Sequence, residues 1–170
     1  MMNCKNLCMA MLLFITASSF ADQLNLELYL KNPATISGIN SDSHIQNELA
    51  AVLGRDYIEF SKNFEDFAAP YKLKTAKAIY YEGRKKSSGA ASAAALYADG
   101  RIYAAYYIPK NHAVRYFTND QACSAVLHPT IQVFIKHYPD AEIEYAASNS
   151  SILKYNEGKG SACSNLKLSH

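Results

Sequence analysis

The clearest pattern of apolar and polar positions lies between residues 91 and 120. Three short stretches rich in alanine, tyrosine and isoleucine are separated there by turn residues. Alternation of this kind, with aromatic and β-branched side chains, is typical of β-strands. Asp99-Gly100 separates the first two stretches and indicates a hairpin, because a type I′ turn takes a positive φ at both central positions. Pro109 and the residues after it separate the second stretch from the third. We therefore predict three consecutive antiparallel strands.

A two-residue turn would fix the register of the first hairpin, and the register decides which side chains face the core. The predicted cross-strand pairs are Tyr97 with Ile102, Ala95 with Ala104, and Ala93 with Tyr106. All six side chains are apolar or aromatic, so we expect this face to be buried. We expect the opposite face, which carries Arg101, Tyr103 and Tyr107, to be more exposed.

Helical periodicity flanks this region on both sides. Ser43 followed by Gln46 matches a capping box and opens a predicted helix. Apolar residues then repeat at intervals of three and four. The stripes are Ile45, Leu49, Val52 and Leu53, then Tyr57, Phe60, Phe64 and Phe67, and finally Ile131, Phe134 and Ile135. We interpret all three stripes as core-facing. The alternative for the second stripe is the wall of a groove for a small apolar ligand.

Two further strands complete the predicted sheet. Residues 75–81 precede the hairpin, and residues 141–147 follow the last helical stripe and suit an edge strand. Helices packed on one face of an antiparallel sheet of four to five strands define an α+β fold. We expect one such domain over residues 22–170.

Residues 1–21 match a secretory signal peptide. Lys5 provides the positive start, an apolar run follows, and small residues end at Ala21, where we expect cleavage. No later apolar run is long enough to cross a bilayer. The expected location is the periplasm, with secretion as the alternative and no membrane attachment after cleavage.

Charge and motifs argue against several classes of function. The formal net charge is only +2, which gives no reason to expect nucleic acid or an anionic membrane as a partner. His128 and His137 are nine positions apart, which is not a metal-site spacing. The sequence has no nucleophile elbow, zinc-protease motif or glycine-rich dinucleotide turn. We therefore expect a protein-binding module rather than an enzyme, without metal or cofactor.

Two cysteines remain once the predicted signal peptide, which holds the other two, is removed. In an oxidising compartment an isolated pair favours a disulfide, so we expect Cys123 to be bonded to Cys163. The alternative is a small thiol-dependent enzyme in which His128 or His137 activates Cys123.

A basic stretch bracketed by glycines occupies residues 83–89. It is either a solvated connection or a projecting loop that enters an acidic cleft. The tyrosine-rich face of the sheet offers a second contact area, since tyrosine is enriched at interfaces. The predicted partner-binding residues are Arg84, Lys85 and Lys86 on the loop, and Arg101, Tyr103 and Tyr107 on the sheet.

The order of helix, strand, protruding loop, long hairpin and final strand over about residues 48–120 resembles that of the periplasmic inhibitors of vertebrate-type lysozyme. AIYYEGRKKSSGAASAAALY is similar to their strand–loop–strand, and RIYAAYYIPKNHAVRYFTND to their next two strands. In that family the protruding loop carries a Cys-Lys-Pro-His-Asp-Cys motif, whose histidine plugs the lysozyme cleft. Residues 83–89 contain neither cysteine nor histidine. The resemblance implies an inhibitor or immunity-type protein that occludes a cell-wall hydrolase.

Overall fold

The structure is a computed structural model that describes residues 24, 26–32, 38–68, 71–73, 76–146 and 163. The predicted signal peptide lies outside these residues. Four α-helices lie within them: α1 (Glu27–Lys31), α2 (Ser43–Leu53), α3 (Tyr57–Ser61) and α4 (Pro129–Ile135). The strands are β1 (Asp66–Phe67), β2 (Tyr71–Lys72), β3 (Ala78–Arg84), β4 (Ala91–Tyr97), β5 (Ile102–Ile108), β6 (Ala113–Thr118) and β7 (Glu142–Tyr145). Within the part of the chain that is described, no helix is long and apolar enough to span a bilayer.

One mixed sheet carries the fold, in the order β1-β3-β4-β5-β6-β7, with β2 also pairing with β3. All neighbours are antiparallel except β6 and β7, which run parallel. The prediction of an α+β fold is therefore confirmed. The sheet has more strands than predicted, because two strands of only two residues each pair with the outer side of β3.

Helices cover both faces of the sheet. Alternate residues of β4 point to opposite sides, and both sides are buried: Leu96 packs beneath α2, whereas Tyr97 packs beneath α4. We call these sides the α2 face and the α4 face. The prediction of helices on one face only is wrong. A strand without charged residues, such as ASAAALY, is typical of a position buried on both sides.

The register of the central hairpin differs from the predicted one by one residue. Leu96 pairs with Ile102, and the next residue, Tyr97, donates its N–H to the Arg101 carbonyl. The loop between Tyr97 and Arg101 therefore contains three residues, Ala98, Asp99 and Gly100. Only Gly100 takes a positive φ, of 89°, and its N–H donates to the Tyr97 carbonyl at 2.9 Å. This is a three-residue hairpin loop with one left-handed glycine, rather than a type I′ turn. The one-residue shift brings Ala93, Ala95 and Tyr97 to the same face as Tyr103. Tyr103 is fully buried there because α4 covers this face.

The cap of α2 is Asp42 rather than the predicted Ser43. Its Oδ1 accepts the backbone N–H of His44 at 2.9 Å and of Ile45 at 3.3 Å. Its second oxygen accepts the Tyr29 hydroxyl at 2.7 Å. Burial raises the pKa of the Asp42 carboxyl, but these hydrogen bonds outweigh it and leave the pKa below its usual value. One aspartate thus begins α2 and fastens α1 to it.

The aromatic stripe after α2 packs into the core, as we interpreted it. Phe60 is buried, and the ring of Phe64 lies 5.4 Å from that of Tyr81 on β3. Gly83 allows this approach, because a Cβ atom at that position would lie 2.9 Å from the Phe64 Cα atom. The stripe extends beyond the helix, since α3 ends at Ser61 and Phe67 belongs to β1.

Candidate functional site

The six predicted partner-binding residues do not form one surface. Arg84 pairs with Ala91, and Ala91 pairs with Tyr107, so these residues form a row at one end of the sheet. Arg101 and Tyr103 follow the three-residue loop at the opposite end. The predicted residues at the Arg84 end are the ones that can share a contact area.

A short, tightly closed loop connects β3 to β4 at that end. The Lys85 N–H donates to the Ala90 carbonyl at 2.7 Å, and the Gly89 N–H donates to the Lys85 carbonyl at 2.9 Å. Gly89 takes a φ of 72°, which glycine adopts without strain. The residues at the tip, from Lys86 to Gly89, are all exposed.

The charges at the base and tip of this loop are largely free. Lys86 lies 3.8 Å from the Asp66 carboxylate, and both side chains are exposed, so this ion pair is weak. Within the described residues, Arg84 and Lys85 make no ion pair with a carboxylate. A cationic group without an internal partner can bind an external anion without first breaking a contact.

Aromatic rings lie beside the loop on the α4 face. Tyr107 stacks on Tyr138 with 4.0 Å between the ring centroids and an angle of 18° between the planes. Burial raises the pKa of the Tyr138 hydroxyl, the nearby Arg84 charge lowers it, and the Glu82 carboxylate raises it further. We call Arg84, Lys85, Lys86, Tyr107 and Tyr138 the loop-end surface. Sequence reasoning missed Tyr138, which follows the predicted stripe of α4 and carried no signal beyond its aromatic character.

Tyr103 belongs to the protein interior, and Arg101 contacts the hairpin loop. The Tyr103 hydroxyl donates to the Asp120 carboxylate at 2.6 Å. The Arg101 guanidinium lies 4.8 Å from the centre of the Tyr97 ring and 2.7 Å from the Asp99 carboxylate. Tyr103 therefore has no exposed surface for a partner, contrary to the prediction, because α4 covers its face of the sheet.

The described geometry does not supply the free thiol that the enzyme alternative requires. Cys123 is joined to Cys163 in a disulfide with Cα atoms 5.7 Å apart. Both ring nitrogens of His128 are engaged: Nδ1 lies 2.6 Å from the Thr130 hydroxyl, and Nε2 lies 3.1 Å from the Tyr97 hydroxyl. Burial, assisted by the Arg101 charge and opposed by Asp120, lowers the pKa of His128 to about 4. His137 is exposed.

The Cys123–Cys163 bridge also bears on metal binding. Among the described residues, the potential metal-ligand group is Asp120 with these two cysteines. Their sulfur atoms are bonded to each other, so neither is a thiolate ligand.

A second polar cluster lies on the α2 face and joins distant parts of the chain. Arg115 on β6 donates through Nη1 to Asp56 at 2.7 Å and through Nε to Glu144 on β7 at 2.6 Å. The Tyr106 hydroxyl donates to the same Asp56 oxygen at 2.7 Å, and burial together with that carboxylate raises its pKa to about 12. Asp56, Arg115 and Glu144 line a cavity of about 550 Å³. Because Arg115 is already paired with two carboxylates, we assign the cluster to holding β7 in place.

Comparisons of the chain with protein-family models, with curated proteins and with solved structures give no match.

Proposed function

We propose that this protein is exported to the periplasm and there binds and occludes a peptidoglycan hydrolase such as a lysozyme. It would act as an inhibitor or as an immunity-type protein against such an enzyme. The observation that carries the proposal is the projecting β3–β4 loop with the strand end that leads into it, where Lys85 in the loop and Arg84 at the end of β3 have no carboxylate partner in the described part of the chain.

The charge of the loop suits the cleft of a glycoside hydrolase. These enzymes hold a pair of acidic residues that flank the bond to be cleaved. A basic loop inserted there would form charged pairs shielded from water, and such pairs at interfaces are worth about 1.5–7 kcal/mol. The loop needs little ordering on binding, because backbone hydrogen bonds already close it.

The stacked pair of Tyr107 and Tyr138 supplies the second element of an interface. Rigid aromatic side chains offer a large contact area at a small cost in conformational entropy, and binding energy concentrates in a few such central residues. The loop and the tyrosine pair are adjacent on the α4 face, so one partner could contact both.

The test is a binding and inhibition assay of the mature protein against a panel of lysozymes and peptidoglycan amidases. For an enzyme that is inhibited, we expect replacement of Arg84, Lys85 and Lys86 by Ser to weaken binding at least tenfold, with the thermal midpoint nearly unchanged. The matched control replaces Arg55, Lys72 and Lys77 by Ser, which removes the same three charges from exposed positions elsewhere.

Two outcomes would contradict the proposal. One is that no hydrolase in the panel is bound or inhibited. The other is that the two triple variants weaken binding equally, since the loss of binding would then reflect the overall charge of the protein and not the position of the loop. A Tyr107→Ala, Tyr138→Ala double variant in the same assay measures how much of the binding energy lies on the tyrosine pair.

A further inference from the structure

A polar cleft of about 340 Å³ lies beside the loop-end surface, between β1, the end of β3 and the segment after α4. Its volume falls within the range of small-molecule sites. Charged groups of both signs line it, namely Asp66, Glu82 and Arg84, and His137 lies beside them. A cleft that presents a cation and an anion close together suits a ligand that carries both charges.

One anionic group of the cleft, Glu82, is held in place by a hydrogen bond from a buried residue. Glu82 is half-buried, and its Oε2 accepts the hydroxyl of Tyr80 at 2.8 Å. Tyr80 itself is buried, with only 1% of its surface exposed. A carboxylate fixed by a buried donor has lost its rotational freedom in advance, so a ligand does not have to order it.

The cationic group follows two residues later. Side chains at positions i and i+2 of a strand point to the same face, with their Cα atoms about 7 Å apart. Glu82 and Arg84 therefore face the same cleft. They do not form an ion pair with each other or with another described residue. Each keeps capacity for an external partner of opposite charge.

Aromatic rings form one side of the cleft. Tyr138 after α4 is half-buried at its rim, and Phe134 forms its buried floor. Aromatic faces attract ammonium groups and pack against apolar side chains.

We propose that this cleft binds a short zwitterionic peptide of about two residues, with its carboxylate on Arg84 and its ammonium group on Glu82. An extended dipeptide spans about 7 Å, which matches the separation of the two residues along β3. A side chain of the peptide would pack against Tyr138. This inference goes beyond the proposed function and does not depend on it.

The test uses three probes that differ only at their ends: the dipeptide Ala-Phe, its N-acetylated form and its C-terminal amide. Each is titrated into the mature protein, and binding is followed by chemical-shift changes in NMR spectra. We expect saturable binding of Ala-Phe and at least tenfold weaker binding of both blocked forms, because each lacks one of the two charges.

Three variants locate the site. Arg84→Gln should abolish the preference for Ala-Phe over its amide and keep the preference over the acetylated form. Glu82→Gln, which keeps an acceptor for the Tyr80 hydroxyl, should do the reverse. Arg55→Gln removes an exposed arginine from the other face and should change neither preference. Thermal unfolding of each variant establishes that it is folded.

The inference is overturned if Ala-Phe does not saturate the folded protein, if all three probes bind equally, or if the Arg84 and Glu82 variants keep both preferences. A double variant distinguishes failure of the peptide site from failure of the proposed function. Lys85 and Lys86 do not line the cleft, so replacing both by Ser should weaken binding to a hydrolase and leave the binding of Ala-Phe unchanged.

Discussion

The phenol ring of Tyr103 lies flat against the imidazole ring of His128, with 3.9 Å between the ring centroids and an angle of 21° between the planes. Tyr103 belongs to β5, and His128 caps the start of α4, accepting the Thr130 N–H at 3.3 Å. The stack therefore fixes the beginning of α4 on the sheet. Each ring is also hydrogen-bonded, Tyr103 to Asp120 and His128 to Tyr97 and Thr130.

Protonation of His128 should destabilise the fold. Its pKa is about 4 in the folded protein against an ordinary value of 6.5. Between these two values the unfolded chain binds the proton and the folded chain does not. The free energy of unfolding should therefore fall as the pH is lowered from 6.5 to 4, by up to about 3 kcal/mol.

Urea unfolding at several pH values measures this effect. The free energy of unfolding of a His128→Gln variant should depend less on pH over the same window. His44→Gln is the control: His44 is exposed, and its removal should leave the pH dependence as it is in the wild type. If the free energy of unfolding of His128→Gln depends on pH as steeply as that of the wild type, His128 is not the titrating group.

Tyr103 should contribute to stability as a core residue. Tyr103→Ala removes a fully buried ring and leaves a cavity, which costs about 3–5 kcal/mol for a large aromatic side chain. Tyr107→Ala should cost clearly less, because Tyr107 is only half-buried. Chemical denaturation of both variants gives the comparison, and equal losses would contradict the burial of Tyr103 beneath α4.

Gly83 should not tolerate a side chain. In Gly83→Ala the new methyl group would press on the Phe64 backbone, so we expect a loss of about 1–3 kcal/mol as the aromatic cluster shifts. Gly38→Ala is the matched control, because a Cβ atom at Gly38 meets no atom within 4 Å. A thermal melt in which both variants behave alike would mean that Phe64 does not pack on β3.

If the protein is exported as proposed, the mature chain should begin at Asp22 and contain one disulfide. Intact mass of periplasmic material, with and without reduction and alkylation, reports both features. Reduction should lower the thermal midpoint, because a bridge across 40 residues restricts the unfolded chain by about 3–5 kcal/mol. An N-terminus that retains residues 1–21 would contradict the expectation of a cleaved signal peptide.

Local patterns in the sequence were enough to predict the α+β class and most of the elements. Strand alternation over residues 91–120 gave three strands, and the repeat of Ile131 and Phe134 gave α4, because both signals depend only on neighbours along the chain. The basic loop was predictable in part: Lys85 and Lys86 lie in it, but β3 continues through Gly83 and Arg84, which we had placed in the loop. Asp99-Gly100 correctly indicated a hairpin.

Tertiary packing set the register of the hairpin and the composition of the site. Asp-Gly suits both two- and three-residue loops, so local sequence could not choose between them, and a shift of one residue changes which β4 residues share a face with Tyr103. Burial of Tyr103 has a different cause, because α4 covers the face that we expected to be more exposed, and this removes Tyr103 from the contact surface.

Contacts between distant residues were equally beyond local patterns. Arg115 meets Asp56 across 59 positions and Glu144 across 29. Tyr138 reaches Arg84 and Tyr107 because α4 packs on the second face of the sheet. Local patterns predicted most of the helices and strands and part of the basic loop, since these depend on near neighbours along the chain. Packing determined which charges and rings meet at the loop-end surface and in the cleft, because burial of apolar area sets the placement of whole elements.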